Sequence, residues 1–262
     1  MKPVSLKLKI LQNRQVALHA YKMTLAAPAI AKGAKPGQFI VVRTIDLSQP
    51  LLRRPFGIHS VKVPNMDILY ELAGLGTKLL SQKMAGEYLD VIGPLGNGFD
   101  LQAARPVLIS GGLGVAPLVF LAEKLKRQKP IVLLGARTKT HILCDKEFKA
   151  LGCDVKIATD DGSKGYKGFI SDLLMTYLPS QEGDLKLMTN IYACGPNPML
   201  KAIAGIASQR NIPAQVSLEE HMACGIGACL GCVVNTTRGQ KRACKDGPVF
   251  DAREIVWRDK TK

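Results

Sequence analysis

The sequence predicts three parts in series: a β-barrel over residues 1–101, an α/β domain with a parallel sheet over residues 102–216, and a small module over residues 217–262. Three observations predict this fold class. Short strands punctuated by Gly and Pro fill the first part, strand and helix patterns alternate in the second, and four cysteines cluster in the third. With 262 residues, 47% of them hydrophobic, the chain is long enough to bury two cores.

The first part reads as a series of strands. Two alternating runs lie in KLKILQNRQVALHAYKMTLAAP, a buried run GQFIVVRTI follows a Pro-Gly turn, and DILYELAG and YLDVIGPLG add further strands. A short helical stretch, TKLLSQKM, separates the last two. This spacing of short strands predicts a six-stranded barrel.

Between two of these strands lies the stretch LLRRPFGIHS, in which two arginines are followed by Pro, an aromatic residue and a strand, and its residue types suit an anionic, planar ligand. Arg54 can donate two parallel hydrogen bonds to a phosphate, and Phe56 can lie flat against a ring system. A surface loop with one buried Phe is the simpler alternative. Further along, Gly76 and Thr77 precede the helical stretch, where backbone amides and a capping hydroxyl form an anion site.

From Arg105 onwards the hydrophobic period changes. The strands PVLIS, KPIVLLGAR, VKIATDDG, NIYAC and AQVSLE alternate with helical segments. Such alternation predicts right-handed crossovers and a parallel sheet, which binds ligands beyond the carboxyl ends of its strands.

Two loops at that edge are candidates for a dinucleotide. Phosphate at a helix N-terminus is the expected chemistry, although Pro117 stands where the third Gly of G-x-G-x-x-G would be. Ordinary strand-to-helix turns remain the alternative, and Arg137, after the second strand, leaves NADH and NADPH both open. The loops contain Gly111, Gly112, Gly114 and Cys194, Gly195, Pro196.

The C-terminal cysteines have the spacing C-x4-C-x2-C-x11-C. The first three match the plant-type [2Fe–2S] spacing, which a distant fourth cysteine completes. Structural zinc prefers two C-x2-C pairs or Cys/His mixtures, and a disulfide framework suits a small secreted domain, so both fit less well. The candidate ligands are Cys224, Cys229, Cys232 and Cys244.

The chain has a formal net charge of +15, but its Lys and Arg are spread along its whole length. Without a basic run or basic–aromatic alternation, the charge does not indicate nucleic-acid binding. We expect anionic cofactors or an acidic partner instead. No run of 18 apolar residues and no secretory signal pattern occurs, and the cysteine count is odd, so we expect a cytoplasmic protein with no membrane span.

In this order, R-P-F-G, GGLGVAPL, ACGPNPM and CGIGACLGCVV with KRACKDGPVFDAREIVW resemble the ferredoxin reductase superfamily with an appended [2Fe–2S] module. Within it, the chain is most similar to the electron-transfer subunits of bacterial dihydroorotate dehydrogenase B. The resemblance covers essentially the whole chain. It implies a β-barrel FAD domain, an α/β parallel-sheet NAD domain and a C-terminal [2Fe-2S] module.

The resemblance also implies roles for matching positions. It assigns the FAD site to Arg54, Pro55, Phe56, Gly57, Leu69, Tyr70, Glu71, Gly76 and Thr77. It assigns the two loops above to NAD, and the four cysteines to the cluster. One departure matters, because members usually have Ser or Thr where this chain has Gly57, and that hydroxyl would hydrogen-bond the flavin.

The implied function is an oxidoreductase subunit that channels electrons between NAD and a partner through FAD and the cluster, in pyrimidine biosynthesis. The partner would be an FMN-containing catalytic subunit that oxidises dihydroorotate, in a heterotetramer of two plus two. No catalytic residue is expected on this chain, because the cofactors carry the chemistry. The alternatives are a flavin subunit of an NAD(P)H–ferredoxin oxidoreductase or cytoplasmic hydrogenase, and a zinc-stabilised basic binding module.

Overall fold

The computed structural model describes residues 3–44, 50–178 and 190–257. Residues 1–2 of the first predicted part, residues 258–262 of the third, and residue 45, the last of the predicted strand GQFIVVRTI, lie outside the described residues.

The first part is a closed antiparallel barrel, as predicted. Among the described residues its strand order is β1-β2-β5-β4-β3-β6. A Phe side chain from the second part, Phe120, is fully buried in the barrel core, so a helix of the α/β domain packs onto the barrel. The elements are β1 (Val4–Gln15), β2 (Ala20–Ala26), α1 (Pro28–Ala31), β3 (Phe39–Arg43), β4 (Arg54–Lys62), β5 (Asn65–Glu71), α2 (Leu75–Ser81) and β6 (Tyr88–Leu95).

Most of the stretch LLRRPFGIHS is strand, because β4 begins at Arg54. The simpler alternative of a surface loop is therefore wrong for this stretch, although its proline cannot donate to a ladder. The structure accommodates it at a position where β4 is paired on one side only. Pro55 lies opposite Val41 of β3, whereas pairing with β5 begins at Ile58.

The second part contains the predicted parallel sheet. In the described part of the chain its order is β10-β9-β8-β7-β11-β12-β15, parallel from β10 to β12 and antiparallel at β15. Every residue of β7 is buried, as expected for a central strand covered on both faces. The elements are β7 (Pro106–Gly111), α3 (Val115–Lys124), β8 (Ile131–Ala136), α4 (Asp145–Ala150), β9 (Asp154–Thr159), β10 (Tyr166–Lys167), α5 (Ile170–Tyr177), β11 (Asn190–Cys194), α6 (Asn197–Gln209) and β12 (Ala214–Ser217).

The third part consists of the cysteine loop, a hairpin of β13 (Val233–Thr236) and β14 (Gly239–Arg242), and β15 (Val249–Asp251). Because β15 pairs with β12, the C-terminal stretch returns to the edge of the α/β sheet and is fixed there. No helix in the described ranges combines the length and apolar character needed to cross a membrane.

Candidate functional site

Two barrel segments far apart in sequence meet at Arg54. A Cβ added to Gly76, at the start of α2, would lie 3.0 Å from Nε of Arg54 and 3.5 Å from its Cζ. The guanidinium therefore occupies the space that a side chain at residue 76 would fill. Thr77 caps this turn, because its Oγ1 accepts from the amides of Ala73 and Gly74 at 2.9 and 3.2 Å. A guanidinium beside the bare backbone of a glycine suits a phosphate group, so these residues fit the phosphates of FAD.

The two adjacent arginines have different hydrogen-bond partners. Arg53 is held by Asp90 of β6, donating from Nη2 to Oδ2 at 2.6 Å and from Nη1 to the Asp90 carbonyl at 2.9 Å. Arg54 has no carboxylate partner among the described residues; its Nη1 donates to the carbonyl of Leu52. The sequence does not distinguish the two, whereas the structure leaves Arg54 as the guanidinium available to an anion.

The two aromatic side chains predicted for the flavin site belong to the barrel core. Phe56 is 8% exposed and Tyr70 is fully buried, with their rings 5.7 Å apart and tilted by 58°. The Tyr70 hydroxyl donates to Asn13 Oδ1 at 2.9 Å. Leu69 is also buried, and Glu71 ends β5 half-buried. Any role of Phe56 and Tyr70 in the flavin site thus acts through the position of β4 and β5.

The two predicted dinucleotide loops touch each other at the carboxyl edge of the sheet. β7 and β11 are parallel neighbours, with Ser110 opposite Cys194. A Cβ on Gly114 would lie 2.2 Å from the Cys194 carbonyl oxygen, and one on Gly195 would lie 2.9 Å from the Gly111 amide nitrogen.

This contact leaves bare backbone facing the space beyond the strands. Gly112 has a positive φ of 54° and open space where a Cβ would be, and a short 3-10 turn leads from it into α3. Exposed backbone amides at a helix start suit a pyrophosphate. The glycine loop and the Cys194-Gly195-Pro196 turn therefore fit NAD.

The four cysteines form two pairs. The amide of Cys229 donates to Cys224 Sγ at 3.4 Å, and the amide of Cys244 donates to Cys232 Sγ at 3.4 Å. A single tetrahedral metal would draw at least three sulfurs together, yet the one trio of His, Cys, Asp or Glu ligand atoms within 4.8 Å in the described ranges contains only one cysteine, Cys144. Two pairs suit a cluster with two irons.

Backbone amides point at these sulfurs. The amides of Ala228 and Cys229 donate to Cys224 Sγ at 3.3 and 3.4 Å, and the Cys244 amide donates to Cys232 Sγ at 3.4 Å. Burial opposes ionisation of Cys224, but these hydrogen bonds outweigh it and lower its pKa to about 6. Burial, together with Cys232, raises the pKa of Cys244 to about 12. Cys224, in the pair nearer the surface, is thus ready to bind metal as thiolate, as cluster formation requires.

The cysteine loop packs on the barrel beside β4, the strand that carries R-P-F-G and is called the flavin strand below. A Cβ on Gly225 would lie 2.7 Å from Cγ1 of Val41, and Val41 lies opposite Pro55 of β4. On the same face of the barrel, a Cβ on Gly57, two residues along β4 from Pro55, would lie 3.7 Å from Cδ of Pro117, in the first turn of α3. The R-P-F-G strand therefore has the cysteine loop near Pro55 and the helix that follows the glycine loop near Gly57.

Sequence reasoning missed one acidic residue at this edge. Glu219 follows β12, and crowding by protein atoms together with the charge of Glu71 raises its pKa. Burial raises the pKa of the Cys194 thiol, and the Glu219 carboxylate raises it further. Glu219 thus links the end of the flavin-side strand β5 to the second dinucleotide loop. Its position at the carboxyl end of a predicted parallel strand was the available signal.

Family models match two parts of the chain. The iron-sulfur cluster binding domain of dihydroorotate dehydrogenase B matches residues 219–256, and the oxidoreductase NAD-binding domain matches residues 108–205.

Relatives match nearly the whole chain. The dihydroorotate dehydrogenase B (NAD(+)) electron transfer subunit of Desulforamulus reducens is 43% identical over 259 residues, covering 95% of this chain and 97% of the relative. The chain belongs to this family. Its member from Caldanaerobacter subterraneus subsp. tengcongensis is 40% identical, covering 96% of this chain and 98% of the relative.

Solved structures share the fold of this chain. A chain of the NADH-dependent reduced ferredoxin-NADP oxidoreductase structure aligns with a TM-score of 0.83 and 30% identity, covering 95% of this chain and 90% of that chain. A ferredoxin NADP+ reductase from Neisseria gonorrhoeae aligns with a TM-score of 0.66 at 15% identity, covering 79% and 91%, and shows the fold alone.

Membership in the dihydroorotate dehydrogenase B electron transfer subunits confirms several predictions. The chain is an oxidoreductase subunit with a catalytic partner, and its cofactors are FAD, NAD and an iron–sulfur cluster. The zinc-stabilised binding module is set aside. The individual FAD, NAD and cluster residues, and the domain boundaries at 101 and 216, stay predictions.

Proposed function

We propose that this chain carries electrons between NAD and the catalytic subunit of dihydroorotate dehydrogenase B. The observation that carries the proposal is the position of β4. Gly57 of that strand faces Pro117 at the start of the nucleotide-side helix, while Pro55 lies opposite Val41, against which the cysteine loop packs. One strand thus borders both ends of a path from nicotinamide to cluster.

The chemistry supplied by the bound groups is hydride exchange between nicotinamide and flavin, and single-electron exchange between flavin and a [2Fe–2S] cluster. The protein's own residues hold and align these groups. Arg54 and the turn at Gly76 hold the FAD phosphates, the backbone at Gly112 and Gly114 holds the NAD pyrophosphate, and the four cysteines hold the irons. No side chain on this chain has to donate or accept a proton.

The partner in this proposal is an FMN-containing subunit that oxidises dihydroorotate to orotate, in a complex of two plus two chains in the cytoplasm. The name of the relatives contains both NAD(+) and the words electron transfer subunit. It therefore supports NAD as the nucleotide and a separate catalytic chain as the partner. The net charge of +15 supports a partner or cofactors of opposite sign.

The test is co-purification with the catalytic subunit under anaerobic conditions. We expect a yellow-brown complex that contains FAD and iron and forms orotate with NAD+ as acceptor. Replacing Cys232 by Ser is expected to abolish electron transfer between this chain and the catalytic subunit, and hence NAD+ reduction by dihydroorotate, while leaving NADH-driven flavin reduction intact. Cys153→Ala is the matched control, because Cys153 is equally buried but lies outside the cysteine loop.

Two outcomes would count against this order of carriers. A colourless protein with one zinc and no iron would exclude redox function. A folded, FAD-loaded Cys232→Ser variant that has also lost flavin reduction by NADH would show that the cluster does not lie beyond the flavin.

A second function has one observation in its favour, the 30% identity to a chain of the NADH-dependent reduced ferredoxin-NADP oxidoreductase structure. In that case a ferredoxin would replace the catalytic subunit as partner. The same preparation separates the two, since reduced ferredoxin would drive NAD+ reduction and dihydroorotate with the catalytic subunit would not.

A further inference from the structure

A cluster of polar side chains around one fully buried histidine lies between the barrel and the α/β domain. It consists of Lys22 on β2, His59 on β4, and Cys144 and Glu147 at the start of α4. His59 is fully buried. A wholly buried, ionisable group between two domains calls for a structural reason, because burial without partners is costly.

The partners of His59 define its protonation. Its Nδ1 lies 3.1 Å from the backbone carbonyl of Ala116, and its Nε2 lies 3.2 Å from Glu147 Oε2. A carbonyl and a carboxylate can only accept, so both ring nitrogens must donate, and the ring is an imidazolium. Burial opposes ionisation of Glu147, but His59 and Lys22 outweigh it and hold its pKa at about 2.

His59, Cys144 and Glu147 together offer the donor atoms of a zinc site. The charges on the other elements argue against a metal there. Lys22 Nζ lies 3.0 Å from the same Glu147 oxygen that faces His59, so an ammonium already supplies the positive charge. Burial and the neighbouring Glu147 raise the pKa of Cys144, which keeps it a neutral thiol. Asp145, the remaining acid of this turn, is paired with Lys164 at 3.1 Å.

The hydrogen bonds of His59 lie beside the point where the flavin strand and α3 come closest. His59 is two residues beyond Gly57 on the flavin strand, and Ala116 directly precedes Pro117, the residue nearest to Gly57 on α3. The glycine loop leads directly into this helix. The His59 hydrogen bond is therefore a fixed link between the flavin strand and the nucleotide-side helix, beside the place where the two come closest.

We propose that His59 is a positioning residue for hydride exchange, which as an imidazolium ties the first turn of α3 to β4 and, through Glu147, to α4. This inference rests on the proposed function. When the ring loses its Nε2 proton, the nitrogen faces the Glu147 carboxylate as a second acceptor and the two repel. The alignment of the two domains, and with it the hydride-exchange rate, then falls as the pH rises.

The experiment uses the FAD-loaded protein and stopped-flow reduction of its flavin by NADH from about pH 6 to 10. The variants are His59→Gln and Glu147→Gln, with His19→Gln as control because His19 is exposed on the β1–β2 connection. We expect His59→Gln to reduce the flavin about tenfold more slowly, since small misplacements of reacting groups are costly. Its NADH dissociation constant should stay within about twofold of the wild type, because the nucleotide loops are intact.

The pH profile separates positioning from general stability. The wild type and His19→Gln should slow down at high pH, and His59→Gln should be flat. Glu147→Gln should also be flat but fast at neutral pH, since a Gln amide can donate to a neutral ring, and this variant serves if His59→Gln does not fold. A wild type without an alkaline decline, or a Glu147→Gln variant that retains it, would overturn the proposal.

A folded His59→Gln variant that matches the wild-type rate of flavin reduction would also overturn the proposal. If the wild type itself does not reduce its flavin with NADH, the proposed function fails. If the wild type does so and His59→Gln behaves identically, only the role of His59 fails.

Discussion

Replacing Gly114 by Ala tests the contact between the two dinucleotide loops. The added Cβ would lie 2.2 Å from the Cys194 carbonyl oxygen, 2.4 Å from its carbon and 2.6 Å from the Gly195 nitrogen. All three atoms belong to the backbone, so no side-chain rotation relieves the clash. Since a real Cβ essentially never comes within 3.0 Å of such atoms, the loops must separate by nearly 1 Å.

The magnitude follows from that displacement. Overpacking of this kind costs about 1–3 kcal/mol of folding stability. A displacement of about 1 Å at a site that aligns reacting groups lowers the rate on the order of 100-fold. We therefore expect Gly114→Ala to keep its FAD, because the barrel is untouched, but to bind NADH weakly and to reduce its flavin about 100-fold more slowly.

The assay is stopped-flow flavin reduction over a range of NADH concentrations, with FAD content and thermal unfolding measured on the same samples. Gly205→Ala is the matched control. Gly205 lies in α6 with no atom within 4 Å of an added Cβ, so this change should be neutral or stabilise by about 0.5–1 kcal/mol. A Gly114→Ala variant that binds and oxidises NADH like the wild type would refute the assignment of these loops to NAD.

Three further predictions concern the flavin strand and the buried cluster. Arg54→Ala should weaken FAD binding about tenfold or more, because a charged hydrogen-bond donor to phosphate is lost; equilibrium dialysis of FAD checks this. Gly57→Ser should fold normally, since the new Cβ meets Pro117 at an ordinary 3.7 Å, and should change the rate of flavin reduction by placing a hydroxyl there. Glu147→Gln should destabilise the protein by about 1–2 kcal/mol at neutral pH, a value that allows for the 38% exposure of the Glu147 side chain. The loss should become smaller as the pH falls from about 4.5 towards 2, because Glu147, with its depressed pKa, stabilises the fold only while its carboxylate is ionised. Urea unfolding at several pH values measures this.

Retention of FAD by Arg54→Ala at the wild-type affinity would remove Arg54 from the site. An unfolded Gly57→Ser would mean that the space beside Pro117 is smaller than the structure indicates. A loss of stability in Glu147→Gln that is the same at pH 3 and pH 7 would contradict the ionic role of Glu147.

Local sequence patterns predict the three parts of the fold and the chemistry of the cysteine loop. Alternation of apolar residues distinguishes barrel strands from crossover helices, because these patterns depend only on local periodicity. The cysteine spacing is equally local, since the loop C-x4-C-x2-C carries three of the four sulfurs within a few residues. Glycines ahead of the first α/β helix likewise indicated an anion site without any knowledge of the fold.

The tertiary structure decided which of these residues meet. Arg53 and Arg54 are adjacent in sequence, but only the closure of the barrel brings Asp90 to the first and Gly76 to the second. Pro55 is accommodated in β4 because that strand is paired on one side only at this position, which depends on how the barrel strands assemble. His59 and Glu147 are separated by 88 residues and show no pattern along the chain. Contacts of this length depend on how whole elements pack, and local sequence patterns carry no information about them.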